Sequence, residues 1–196
     1  MSKKCGYTKG VCAVERTAIF IDEGYLVKVL QGFGYPKINY GTFSAFLSRG
    51  EPILRVYYYT ALPYLSKVPT PEEKTRYEKK QGFLDKLSRF DFYEVRCGKL
   101  KRFYDEYGKP VYQQKRVDTL MTCDMLRLAY KARMDRAVIV TGDSDFIPAI
   151  QITKDEGVQI ELVYAGERYL PSNDLLLLAD TRRELTQSDF DFCKLS

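Results

Sequence analysis

The chain has 196 residues, is 45% hydrophobic and 29% charged, and carries a formal charge of +5; this is the size and balance of one globular domain with a sizeable core. No run of about 18 apolar residues is present, which excludes a membrane-spanning helix, and the basic start MSKKCGYTKG lacks the apolar core of a secretory signal, so the expected location is cytoplasmic. Histidine is absent, which removes Ser-His and Cys-His catalytic pairs, His-ligated zinc and a His general base, and leaves carboxylates, Lys, Tyr, Cys or an oxygen-held metal for any chemistry.

The five cysteines, Cys5, Cys12, Cys97, Cys123 and Cys193, form no CxxC pair and read as scattered reduced thiols with packing roles. Charge is unevenly spread. Residues 67–116 hold fourteen Lys/Arg against eight Asp/Glu, and residues 117–196 nine against fourteen. A basic middle beside an acidic last third suits a protein that grips a polyanion with one surface and holds cations with another.

In chain order, residues 1–15 read as a basic leader. Arg16–Ile21 (RTAIFI) is a short apolar strand ending at Asp22. A helix is expected over Gly24–Leu30, stopped by Gly32 and Gly34, and a second over Asn39–Ser48 with Asn39 or Thr42 as cap. Ile53–Thr60 (ILRVYYYT) is β-branched and aromatic, a strand, so its tyrosines are packing residues. The TPEE at 70–73 opens a helix reaching residue 89. Phe92–Cys97 reads as a strand, followed by a basic hairpin turning near Tyr107-Gly108-Lys109-Pro110. Val117–Arg133 carries an apolar helical stripe of Val117, Leu120, Met121, Leu128 and Ala132. Arg136–Thr141 is a buried strand, Phe146–Glu156 a helix, Val158–Tyr164 a strand and Asn173–Leu178 a short apolar helix. Residues 186–196 read as a C-terminal tail.

Strands alternating with helices give βαβ units, and the continuous apolar runs fit strands covered on both faces. The expected fold is therefore a three-layer α/β/α sandwich with a mostly parallel sheet and a basic β-hairpin insertion. Ligands of such sheets bind outside the carboxyl ends of the strands, which makes the acids there informative. Asp22 follows one strand directly, and Asp143 and Asp145 follow another in the turn TGDSDF, where Gly142 allows a tight turn and Ser144 can cap the next helix. Asp118 lies in the first turn of the helix after Lys115-Arg116-Val117. If that helix starts at the same edge, four carboxylates converge and need a cation to offset their repulsion. Mg²⁺ or Mn²⁺ prefers oxygen ligands, activates water and stabilises charge on a reacting phosphate. Asp124 sits on the apolar stripe six residues from Asp118, roughly 240° around the helix, so it reads as a structural or supporting acid. Glu23 reads as a solvated first-turn acid, with a place in the site as the alternative.

These motifs resemble the NYN domain of the PIN-like nuclease superfamily, near the LabA-like group. The resemblance runs from about Arg16 to Leu185 through AIFID at Asp22, QKRVDTLMTCDMLRLA at Asp118 and Asp124, VIVTGDSDFIPAI at Asp143 and Asp145, and PSNDLLLLAD at Ser172 to Asp180. It implies a PIN-like fold over residues 16–185 and a divalent-metal pocket held by Asp22, Asp118, Asp143 and Asp145, with Asp124, Ser144 and Ser172 behind them. The implied activity is endoribonuclease. One departure stands out: the family's first motif often runs Asp-x-x-Asn, and here Tyr25 takes the Asn position.

The hairpin's Lys99, Lys101 and Arg102, with Lys115 and Arg116 before Asp118, interleave with Phe103, Tyr104, Tyr107 and Tyr112, the pairing of charge and stacking that single-stranded nucleic acid requires. Single-stranded RNA is the expected partner, and a homo-oligomer stays open. Three functions compete. The first is a metal-dependent ribonuclease. The second is a non-catalytic RNA-binding or regulatory module of the same fold, marked by the altered first motif. The third is a phosphatase-like enzyme, against which the run Asp22-Glu23-Gly24 counts, because a phosphoaspartate chemistry wants Asp-x-Asp there. No P-loop is present for ATP hydrolysis.

Overall fold

The computed structural model describes residues 15–195; the expected leader, with Cys5 and Cys12, lies outside the described residues. Seven strands form one sheet: β1 (Thr17–Asp22), β2 (Ile53–Ala61), β3 (Tyr93–Tyr104), β4 (Pro110–Lys115), β5 (Arg136–Val140), β6 (Gln159–Ala165) and β7 (Thr181–Leu185). Their spatial order is β4-β3-β2-β1-β5-β6-β7. All pairs are parallel except β3 with β4. Six parallel strands thus form the centre, and the antiparallel hairpin hangs on one edge.

Helices cover both faces. On one side lie α1 (Glu23–Gly32), α2 (Tyr40–Ser48), α3 (Pro71–Leu87) and α7 (Gln187–Phe192), packed with Ile19, Ile21, Val138, Val140 and Val163. On the other lie α4 (Val117–Tyr130), α5 (Ile147–Asp155) and α6 (Asn173–Leu178), packed with Ala18, Phe20, Ile139, Ile160 and Leu162. Successive strand residues feed opposite cores, which is why the central strands are apolar without alternation. The tyrosines of β2 obey the same rule. Tyr57 and Tyr59 belong to the α4 side and Tyr58 to the α1 side, all buried as packing residues.

Local signals explain most boundaries. Asn39 caps α2 by accepting from the amides of Gly41 and Thr42, and Thr70 caps α3 ahead of Pro71. The helix expected over residues 146–156 is α5, with a 3-10 turn at Ser144–Phe146 directly ahead of it. The strand expected to end at Cys97 runs on to Tyr104 and becomes the first arm of the hairpin. Strand β7 was not legible in the sequence, because its TRREL carries charges on the exposed sheet edge and buries only Leu185. The last residues, which read as a tail, form α7 and deliver Phe190 and Cys193 to the core.

A buried charge cluster secures the amino edge of the sheet. Glu161 on β6 is fully buried and pairs with Arg49 (2.8 Å), Arg136 and Arg183 (2.9 Å). Burial pushes its pKa upward, but the hydrogen bonds and fields of Arg136, Arg183 and Arg49 win and hold it below the usual glutamate range. The arginines do a second job. Arg183 donates to the carbonyls of Phe46 (3.0 Å) and Leu47 (2.7 Å), and Arg136 to that of Ser48 (3.4 Å), so the open carbonyls at the end of α2 are satisfied. The Nε of Arg183 is a charge contact to Glu161 without hydrogen-bond alignment. Glu161→Gln leaves the buried guanidinium of Arg136 and the part-buried one of Arg183 short of an anion. It is expected to cost about 3–5 kcal/mol, the scale of breaking a buried pair, read as a lower urea midpoint at unchanged slope; a loss under about 1 kcal/mol would show that the cluster is not structural.

Candidate functional site

Strand order places the site. The chain leaves β1 for the α1 face and reaches β5 from the α4 face, yet β1 and β5 are neighbours. Their carboxyl ends therefore diverge to opposite faces and leave a crevice between them. A cleft of about 590 Å³ opens there, lined by Asp22, Gly24, Tyr25, Lys28, Asp118, Gly142, Asp143, Ser144, Tyr169 and Leu170.

Asp22 ends β1 and caps α1, accepting from the Gly24 amide at 2.8 Å. The register pairs Ile21 with Val140, so Thr141 stands level with Asp22. Buried Thr141 donates to Asp22 Oδ2 at 3.3 Å and accepts from the Asp143 amide at 3.2 Å. This hydroxyl ties the two acid-bearing strand ends together. Asp143 accepts from the Asp145 amide at 2.9 Å, so Asp143, and not Ser144 as the sequence suggested, caps the 3-10 turn. Asp118 arrives in the first turn of α4 after Arg116, which takes the left-handed conformation (φ 75°) and turns the hairpin into the helix.

The acids feel one another. Burial is the main reason the Asp22 carboxyl is held above the usual aspartate range. The charge of Asp118 adds to it, against the amides of Tyr25 and Gly24 and the Thr141 hydroxyl. Asp118 is raised first by burial and then by Asp143 and Asp145. Asp145 itself is exposed and is not among the cleft-lining residues; its contribution to the set is its field and its amide.

The remaining expected residues are spread more widely. Ser144 lines the cleft, while Ser172 is exposed and caps α6 through the Leu175 amide. Asp124 is buried and accepts from Tyr59 (3.2 Å), Arg96 (2.9 Å) and Arg127 (2.7 Å), which answers its need for partners away from the cleft. Glu23 is not solvated. It turns from the cleft toward α3, accepts from Tyr58 and Thr60 and pairs with Lys80, because the hydroxyls of β2 and the α3 lysine offer it partners where it leaves β1.

Tyr25, which stands in place of the family Asn, is buried. Its hydroxyl donates to the Tyr169 carbonyl (2.9 Å) and accepts from the Ala165 amide (3.0 Å). A Cβ on Gly142 would meet the Tyr25 ring at 2.4 Å. Gly142 is therefore required by the ring's close approach; its φ is not in the left-handed region. Thr141 and Lys28 have no mark in the sequence beyond their distance from Asp143 and Asp22. Lys28 falls one turn after Gly24 and Tyr25 on the same helix face.

The hairpin continues β3 beyond the carboxyl edge. Asp22 is level with Tyr59, and Tyr59 with Arg96. Lys99 thus lies about 10 Å past the level of Asp22 and Arg102 about 20 Å, at roughly 3.3 Å per residue. Lys99 pairs with Lys115 across the hairpin. Arg102 lies over the rings of Tyr64 (4.6 Å) and Tyr104 (5.3 Å), while Phe103, Tyr104 and Tyr107 are exposed. The basic arm therefore stands beside the cleft and joins it through Arg116 and Asp118.

As a ligand set, the cleft offers oxygen donors, the carboxylates of Asp22, Asp118 and Asp143 with the Ser144 hydroxyl, and oxygen is what Mg²⁺ and Mn²⁺ prefer. Among the described residues no three acids are gathered tightly enough to enclose an ion. Mg²⁺ does not need such a cage, since it binds through one or two carboxylates with waters and substrate phosphates. The fit is thus to an open site completed by substrate.

The NYN domain model matches residues 16–185, and the chain belongs to the NYN domain family of the PIN-like nuclease superfamily. The family is generally one of nucleases, and PIN-like nucleases typically use divalent metals. No curated protein matches the chain. Among solved structures, a protein of unknown function from Vibrio parahaemolyticus is similar, with a TM-score of 0.57 and 17% identity over 92% of this chain and 96% of that one; it supports the fold alone. No helix among the described residues is long and apolar enough to cross a membrane.

Raised acids have a testable sign. A carboxyl whose folded pKa is raised weakens the fold once pH climbs through that pKa, and the penalty vanishes where it is protonated in both states. Asp22→Asn keeps a capping oxygen and removes the charge. In chelator it is expected to raise Tm at pH 7, and the gain should disappear below about pH 4, the ordinary aspartate value. A variant less stable than the parent at pH 7 would contradict the raised pKa.

Proposed function

We propose that the protein is a divalent-metal-dependent endoribonuclease acting on single-stranded RNA. The observation that carries this reading is the convergence of Asp22, Asp118 and Asp143 in one cleft at the β1/β5 crevice, beside an arm of basic and exposed aromatic residues. One or two of Asp22, Asp118 and Asp143 would hold Mg²⁺ or Mn²⁺ together with water and a substrate phosphate, with the others and Asp145 adding negative field. The ion, when bound, activates water and offsets charge on the reacting phosphate. Thr141 keeps the carboxylates of Asp22 and Asp143 in mutual register. Lys99, Lys101, Arg102, Lys115 and Arg116 bind backbone phosphates, and Phe103, Tyr104 and Tyr107 stack unpaired bases. The free thiols Cys97, Cys123 and Cys193 suit the reducing cytoplasm, where we place the protein.

One observation favours the alternative of a non-catalytic RNA-binding module. The Tyr25 hydroxyl is spent on Tyr169 and Ala165, so the position of the family Asn supplies no polar group to the cleft.

Labelled single-stranded RNA incubated with Mn²⁺, Mg²⁺ or EDTA separates the two readings. Cleavage is expected with either metal and none with EDTA. Asp143→Asn is expected to lower cleavage by about 10²–10³-fold, the scale of losing one charge-stabilising group, while RNA binding survives. At a metal concentration of 100 Kd the parent should gain about 2.7 kcal/mol of stability by linkage, and the variant less. A parent that binds RNA but shows neither metal-dependent cleavage nor a metal-dependent Tm leaves the binding module standing. Replacing Lys99, Lys101 and Arg102 together by Ala should lower the salt slope of RNA binding by roughly 0.7 per lost phosphate contact; an unchanged slope would remove the hairpin from the interface.

A further inference from the structure

Several acids of this molecule are paired. Glu23 meets Lys80, Asp124 meets Arg96 and Arg127, Asp135 meets Arg16, Glu161 meets three arginines and Asp180 meets Lys154. Lys28 lines the same cleft as Asp22, Asp118 and Asp143, yet makes no ion pair or hydrogen bond among the described residues. Its side chain is exposed. An ammonium group that lines a cleft with three carboxylates and pairs with none of them is available to a ligand of its own.

The position of Lys28 says which part of a substrate it meets. Asp118 and the hairpin reach the cleft from the α4 face and from the β3 side of the crevice. Lys28 reaches it from α1, on the opposite face. It shares that wall with Tyr169 and Leu170, which follow β6 on the far side of β5. The wall is held firmly: the Tyr25 hydroxyl binds the Tyr169 carbonyl at 2.9 Å, and the Tyr169 ring fills the space a Cβ on Gly32 would need. A strand that runs from the hairpin across the acids must leave past α1 and the 166–170 segment.

We infer that Lys28 binds a backbone phosphate of the RNA on the side of the cleft opposite the hairpin, so that the strand is gripped on both flanks of the acids. This rests on the proposed RNA substrate, and not on cleavage. The two grips have different chemistry. The hairpin offers several cations with stacking rings, whereas the α1 wall offers one point charge, with exposed Leu170 beside it. One side of the strand should be held by stacking and charge, the other by a single phosphate contact.

The test is equilibrium binding of a labelled single-stranded RNA in EDTA, where no metal-dependent cutting occurs, over a range of salt. Lys28→Gln should lower the magnitude of the log–log salt slope by about 0.7, the single-strand value for one phosphate, which weakens binding about fivefold at 0.1 M salt. Lys28→Arg should retain the parent slope. Lys131→Gln, an exposed lysine at the other end of α4, should also retain it. Because Lys28 is exposed, all three variants should melt with the parent. A Lys28→Gln slope equal to the parent's, an equal fall for Lys131→Gln, or no RNA binding by the parent would each overturn the inference. Cleavage by the parent in Mn²⁺ is scored separately. A parent that binds with a Lys28-dependent slope but does not cut would fail the nuclease reading alone, and a parent that cuts without a Lys28 effect would fail this inference alone.

Discussion

Two adjacent parallel strands, β1 and β5, send their chains to opposite faces of the sheet, and a cleft opens between their carboxyl ends. The rest of the site follows from this constraint. Connections between parallel strands must cross over, and their handedness decides which face they cover; where the direction reverses, a crevice is left. Asp22 and Asp143 come to the crevice because each follows its strand closely. Asp118 comes because α4 must start at the carboxyl edge to return the chain to the head of β5.

Charge is managed differently at the two ends of the sheet. At the amino edge Glu161 is fully buried, and three arginines surround it. Desolvation is met there by partners, and those partners also satisfy the carbonyls of α2. At the carboxyl edge, Asp22, Asp118 and Asp143 have no ion pair among the described residues, and two of them are held above the aspartate range. Desolvation comes first in raising them and the neighbouring acids add to it, whereas the fully or largely buried Glu161 and Asp124 are paired. Carboxyls left raised in a cleft are candidates for a functional site.

Tyr25 couples the cleft to the far strand. It buries its ring against Gly142 and carries its hydroxyl past the cleft to the end of β6. The same hydroxyl fixes the Tyr169 carbonyl and so steadies the 166–170 wall.

The sequence alone determined the parallel α/β class, the positions of the central strands and the three acid-bearing motifs, because these depend on local patterns: continuous apolar runs, a strand followed at once by Asp, and caps such as Asn39 and Thr70. The NYN domain family was legible in the same motifs. Tertiary structure decided the rest. Glu23 and Asp22 are neighbours in the chain, yet one turns to Lys80 and the other to the cleft, a difference set by which partners β2 and α3 present. The edge strand β7 hid behind its charges, and α7 read as a tail, because only the sheet they complete makes their few apolar residues interior. Thr141 and Lys28 carry no motif. Their roles exist only because register sets a hydroxyl level with Asp22, and one helical turn lifts an ammonium to the rim of the cleft.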